Sequence, residues 1–243
     1  MLLKNHNHLI FRDINMNIFF ILLVASLTVF LSSCKKEQKS KVESKTTNEV
    51  TDSAENLATS SNKVIMFYGN SLTAGYRLEE NESFPSIIED KIDSLNMNYT
   101  VINAGLSGDT SYDGFKRLDW VLNTKVDVFI LELGANDMLR GLPVKNTREN
   151  LINIVHSVKS KYPDVVIAIC AMAGAPNMGV DYVTEFEKIY KDLANDEKIT
   201  YIPFFLEGVA GNPDLLLQDG KHPNAEGQKI VADNIWATLK NLL

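Results

Sequence analysis

Five short, almost unbroken apolar runs mark the chain, near residues 64–68, 99–103, 126–133, 165–170 and 201–204. They are rich in Val and Ile and lack polar alternation, the pattern of strands buried on both faces. Amphipathic stretches lie between and after them, at 84–95, 109–122, 147–160, 180–195 and 225–242. In the third of these, Thr147 and Asn150 precede Leu151, Ile154 and Val158, which share one helical face. Alternating strands and helices imply right-handed crossovers and a sheet covered on both faces. The expected fold class is therefore α/β, a three-layer α/β/α sandwich around a five-stranded parallel sheet.

The first sixty residues follow other patterns. Residues 18–31 are apolar or small, with Lys4 and Arg12 upstream and Leu31-Ser32-Ser33-Cys34 at the end. These 14 residues are too few to span a bilayer as a helix, which needs ~20. A basic start, a short apolar core and small residues describe an export signal. With Cys34 where it stands, the segment resembles a bacterial lipoprotein signal. That resemblance implies cleavage before Cys34 and lipidation of its thiol. Residues 35–62 carry five Lys against five Asp and Glu, with no aromatic side chain, and cannot bury enough surface to order themselves. They read as a tether with a root-mean-square reach of ~30 Å. The expected organisation is a signal over 1–33, a lipidated Cys and tether over 34–62, and one domain over 63–243. Lys35, rather than aspartate, follows Cys34, which points to the periplasmic face of the outer membrane or the cell surface.

Charge and ligand counts exclude several functions. With the two leading segments set aside, the domain keeps 17 Lys and Arg against 25 Asp and Glu, so nucleic acid is repelled. Cys170 sits alone in the apolar run 165–170 and reads as a packed strand residue. Only His156 and His222 remain beyond the signal, too few for a zinc site of several His or Cys ligands. No metal, no cofactor and a monomer are expected.

Ligands of open parallel sheets bind beyond the carboxyl ends of the strands. The segments there read GNSLTAG, NAGLSGDTS, ELGANDMLRG and AMAGAPNMG, and the fifth ends in QDGKHPN. Ser71, in the first, needs a base, a group to orient the base, and donors for an oxyanion. His156 falls mid-helix, away from these loops. His222 lies in a turn-rich segment, and Asp219 three residues earlier can turn its carboxylate onto a ring nitrogen. Candidate oxyanion donors are the N–H groups of Ser71 and Gly108 and the side-chain amide of Asn136, with Gly108 suited because no side chain intervenes. Taken singly, each of these residues reads equally well as a turn or a helix cap.

Together, GNSLTAGY, NAGLSGDTS, LELGANDMLRG and DGKHPN resemble the SGNH (GDSL) hydrolases, nearest to small bacterial arylesterases, acyl thioesterases and lysophospholipases. The resemblance covers nearly the whole domain. It implies a flavodoxin-like sandwich and metal-free acyl transfer by Ser71, His222 and Asp219, with Ser71, Gly108 and Asn136 at the oxyanion. Asn70 departs from the aspartate that the family usually carries there. No Gly-x-Ser-x-Gly elbow surrounds Ser71, which disfavours the larger α/β-hydrolase fold. Met138, Leu139 and Leu142 follow Asn136, and Met172, Pro176 and Met178 follow the fourth run, so these residues are expected to border an acyl groove; the resemblance implies the same of the loop 173–179. The expected substrate is an acyl ester or lysolipid, met at a membrane through the lipid anchor. A carbohydrate O-acetylesterase and a catalytically silent lipid- or glycan-binding module are the rival readings.

Overall fold

The structure, a computed structural model, describes residues 62–243. The export signal, Cys34 and the tether up to residue 61 lie outside the described residues. Among those described, no helix is long and apolar enough to cross a membrane.

Five strands form one parallel sheet: β1 (Lys63–Gly69), β2 (Tyr99–Asn103), β3 (Val128–Glu132), β4 (Val166–Cys170) and β5 (Thr200–Ile202). Their order across the sheet is β2-β1-β3-β4-β5. Every residue of β3 is buried, as a central strand covered on both faces requires. β5 is shorter than its apolar run, because Pro203 lacks an N–H and cannot continue the ladder.

Among the described residues, seven helices accompany the strands: α1 (Ser71–Ala74), α2 (Phe84–Ser94), α3 (Ser111–Val121), α4 (Ala135–Leu139), α5 (Val144–Lys161), α6 (Val180–Glu197) and α7 (Ala225–Leu239). α2 packs against α7, while α5 packs against both α3 and α6. Right-handed crossovers put these two groups on opposite faces of the sheet. Chain direction across the sheet reverses between β1 and β3, where such folds open a crevice at the carboxyl ends. Ser71 follows β1 and Asn136 follows β3, so both border that crevice.

The floor beneath it is dry and aromatic. Phe67 of β1 meets Phe84 of α2 edge-to-face at 5.4 Å, and both are fully or almost fully buried. Gln228 of α7, also buried, accepts from the Phe84 N–H (3.0 Å) and donates to the Leu72 carbonyl (3.4 Å). One buried amide thus fastens α1 and α2 to the helix that starts just after His222.

Candidate active site

The strand-to-helix turn after β1 carries the serine. Asn70 is the N-cap of α1, its side-chain oxygen accepting from the Leu72 N–H at 3.0 Å. Ser71 is the first helical residue, so its own N–H has no intrahelical acceptor. Gly75 ends the single turn in the left-handed conformation, φ 71°. Gly69 admits no side chain: a Cβ there would stand 2.1 Å from Thr73 Oγ1 and 2.5 Å from Glu132 Oε2.

The histidine arrives from the far end of the sequence on a self-closed hairpin. Leu217 N–H donates to the His222 carbonyl (2.8 Å), and Asn224 N–H to the Leu215 carbonyl (2.9 Å). Asp219 makes an Asx-type turn inside this loop, its Oδ1 accepting from the N–H groups of Lys221 (2.9 Å) and His222 (3.1 Å). Its Oδ2 faces His222 Nδ1 at 2.7 Å, and His222 Nε2 faces Ser71 Oγ at 2.8 Å. A carboxylate only accepts, so Nδ1 carries the ring proton and Nε2 turns its lone pair to the serine. Partial burial pushes the Asp219 pKa up. Hydrogen bonds from the His222 ring and from the two N–H groups outweigh it, and the pKa falls to about 2. The ring of Tyr76 lies against that of His222, centroids 4.5 Å apart. His156 sits elsewhere, on the exposed side of α5, bonded to Glu197 at 2.8 Å.

Loops after β2 and β3 complete the constellation. Arg117 of α3 reaches back with one nitrogen to the carbonyls of Gly69 and Ala104, both at 3.0 Å, and pairs with Asp109. Its guanidinium stacks on Tyr68 at 4.2 Å. The loop 104–110 is thereby tied to the end of β1. Asn136 donates its amide to the Asp109 carbonyl at 2.9 Å, so one of its two protons is engaged and the other is free for a ligand. Arg140 holds the Gly108 carbonyl at 2.8 Å, while the Gly108 N–H has no acceptor among the described residues. Crowding does not explain this glycine, since a Cβ would meet nothing within 4 Å. Its φ of 93° does. Asp137 braces the same region from beneath, accepting from the Ser111 N–H (2.7 Å), the Ser111 hydroxyl (2.5 Å) and the Thr147 hydroxyl (3.2 Å).

A cavity of about 480 Å³ opens beside Ser71. Its wall includes Asn70, Ser71, Asn136 and His222, with Met138, Leu139, Met172 and Pro176 on the apolar side. Leu142 and Met178 are not part of that wall. The Leu142 carbonyl instead accepts from the Tyr182 hydroxyl (2.8 Å), and Met178 packs against the core. Phe204, Leu206, Ala210 and Gly211, from the segment after β5, take their place. Gly108 is not among the residues of that wall. Among the described residues no cluster of His, Cys, Asp or Glu could hold a metal ion.

The sequence model of the "GDSL-like Lipase/Acylhydrolase family" matches residues 67–230, spanning the serine turn and the histidine hairpin alike. The chain belongs to this family. It is 36% identical over 177 residues to an arylesterase of Vibrio mimicus, covering 72% of this chain and 88% of that protein. It is 35% identical over 180 residues to the thioesterase 1/protease 1/lysophospholipase L1 of Escherichia coli, covering 74% and 84%. The crystal structure of the psychrotrophic esterase EstA from Pseudoalteromonas, inhibited by monoethylphosphonate, superposes with a TM-score of 0.71 at 31% identity, covering 74% and 98%. These relations and the α/β sandwich make this GDSL hydrolase a carboxylic ester hydrolase.

Three contributors escaped the sequence reading. Tyr76 leaves no local signal, because nothing in GYRLEE announces a ring partner. Arg117 reads as an ordinary helix-surface charge until its nitrogens are followed. Glu132 did leave a signal, as the one ionisable residue closing an otherwise apolar strand.

Proposed function

We propose that this GDSL hydrolase cleaves acyl esters of the arylesterase and lysophospholipase type, with Ser71 as nucleophile, His222 as base and Asp219 as its orienting carboxylate. The observation that carries the reading is the continuous chain from Asp219 Oδ2 through His222 to Ser71 Oγ, at 2.7 and 2.8 Å. Ser71 Oγ attacks the acyl carbonyl while His222 Nε2 takes its proton, and Asp219 stabilises the resulting imidazolium. The tetrahedral oxyanion is met by the N–H groups of Ser71 and Gly108 and by the free amide proton of Asn136. Collapse expels the alkoxide or phenoxide, which leaves with the proton from His222. Water then enters on the same base and releases the acid, restoring Ser71.

The acyl chain occupies the apolar side of the 480 Å³ cavity, between the loops after β3 and β4 and the segment after β5. That lining favours a fatty or aromatic acyl ester over a sugar acetate. Thioester cleavage is an accompanying activity of the same site. The chain acts as a monomer at a membrane surface, exported and held by a lipid on Cys34 through the tether to residue 62. Its face is the periplasmic side of the outer membrane or the cell surface.

A fluorophosphonate probe and an ester panel test this directly. Wild-type chain labels and hydrolyses acyl esters beyond acetate, including lysophospholipid, and Ser71→Ala does neither. Folded wild-type chain that neither labels nor hydrolyses any member would leave a binding module. Activity confined to acetylated sugar would give the acetylesterase. Palmitate incorporation that disappears in Cys34→Ala checks the anchor.

A further inference from the structure

Glu132 is the end of β3 and is 1% exposed, yet it has no part in the transfer of protons just described. Its carboxylate is directed entirely at the nucleophile turn. Oε1 accepts from Asn70 Nδ2 (2.8 Å), and Oε2 accepts from the Asn70 N–H (3.1 Å) and the Thr73 hydroxyl (2.7 Å). Asn70 and Thr73 flank Ser71 and are themselves fully buried. The Asn70 amide cannot be turned around. Its oxygen is engaged by the Leu72 N–H (3.0 Å) and its nitrogen by Glu132 (2.8 Å). All three partners of Glu132 donate to it, the arrangement that an ionised carboxylate calls for.

We propose that Glu132 is a positioning residue for Ser71 that acts in its ionised form, and that Asn70 is the partner that allows it to hold that charge. The inference rests on Ser71 being the nucleophile. The other groups facing Glu132 do not compete for its oxygens. Gly69 of β1 gives it room, and its own carbonyl is taken by Arg117. Cys170 of β4 and Tyr190 of α6 are buried and neutral, burial and the Glu132 charge both opposing their ionisation. No cation pairs with Glu132 among the described residues. Burial pushes its own pKa up to about 7 against those hydrogen bonds, so protonation below that pH would break the clamp. An aspartate at position 70, the second letter of the family's GDSL pattern, would place two carboxyls face to face. They would have to share one proton.

The test uses the full chain and four forms: wild type, Glu132→Gln, Asn70→Asp and the double variant. Hydrolysis of p-nitrophenyl butyrate and the rate of fluorophosphonate labelling are followed from pH 5 to 9. Glu132→Gln sets amide against amide, and kcat falls ~10–100-fold with KM little changed, the scale of a displaced reacting group. The ratio of wild-type to Glu132→Gln rates rises with pH, a readout in which steps common to both forms cancel. Asn70→Asp is close to wild type near pH 5–6 and gains an alkaline loss as the shared proton leaves. In the double variant the amide introduced at position 132 donates to the carboxylate introduced at position 70. Its oxygen accepts from the backbone and Thr73, and most of the rate returns. A flat ratio near one, an Asn70→Asp profile parallel to wild type, or a double variant no better than Glu132→Gln overturns the proposal. A wild type that is folded but unlabelled fails the nucleophile reading instead. If Glu132→Gln does not fold, the Asn70→Asp profile decides alone.

Discussion

Two carboxylates converge on Ser71 from opposite directions and under opposite conditions. Asp219 is half-exposed on a hairpin and reaches the serine through an imidazole, its pKa held down at about 2. Glu132 is buried at the end of a central strand and reaches the serine through its neighbours' backbone and side chains, its pKa pushed up to about 7. The first is stabilised as an ion by one ring N–H and two backbone N–H donors, the second is an ion against the cost of desolvation. A charge that must answer a proton transfer is kept near water and easily polarised. A charge that fixes a backbone turn can be placed where nothing else reaches it.

The contrast can be broken from either side. Asp219→Asn should be the most damaging change outside Ser71 and His222. It leaves the hairpin folded but presents the wrong partner to Nδ1, and kcat falls ~10⁴-fold with unchanged far-ultraviolet dichroism. Asn136→Ala removes the proposed oxyanion donor and its bond to Asp109, and kcat should fall ~10²–10³-fold while KM moves little. Gly69→Ala acts on the buried side alone. Its methyl collides with Thr73 and Glu132, and chemical denaturation should show a loss of ~1–3 kcal/mol. The finest distinction is in stability against pH. Glu132 ionises at higher pH in the fold than its ordinary 4.5, so its contribution is full below pH 4.5 and is lost as pH rises to about 7. Asp219 ionises at lower pH than its ordinary 3.8, so its contribution is present above that value and lost as pH falls towards 2. Between pH 4.5 and 7, wild type should lose melting temperature relative to Glu132→Gln, and between pH 3.8 and 2 it should lose melting temperature relative to Asp219→Asn.

The sheet was legible because strands covered on both faces must be apolar at every position, and five runs met that rule. Their ends were less so. The run 126–133 yields a strand only over Val128–Glu132, and the helix read from Thr147 begins at Val144, directly after Pro143, whose fixed φ suits a helix start. The single-turn helices α1 and α4 have no periodicity to read. In the site, Ser71, Asn136, Asp219 and His222 stood out because each is polar, sits beyond a strand and is framed by glycine. The cavity wall was only partly legible. Met138 and Met172 reach it from the segments directly after β3 and β4, but Leu142 and Met178 lie outside it, and Phe204 and Leu206 enter from a segment with no repeating pattern. Which apolar side chain faces a cavity is decided by tertiary packing, and composition is silent on it.

The hairpin over 215–224 is closed by its own backbone and hands directly into α7 through the Asn224 cap, whose side chain accepts from the Gly227 N–H at 3.0 Å. The imidazole is therefore delivered on a loop closed by its own backbone, which the Asn224 amide also ties at 2.9 Å to the carbonyl of Asp214, the last of the twelve residues between Ile202 and Leu215 that supply part of the cavity wall. The wall-forming part of that stretch, around residues 204–211, thus shapes which acids are accepted, while its end at Asn212 and Asp214 keeps the proton acceptor aligned.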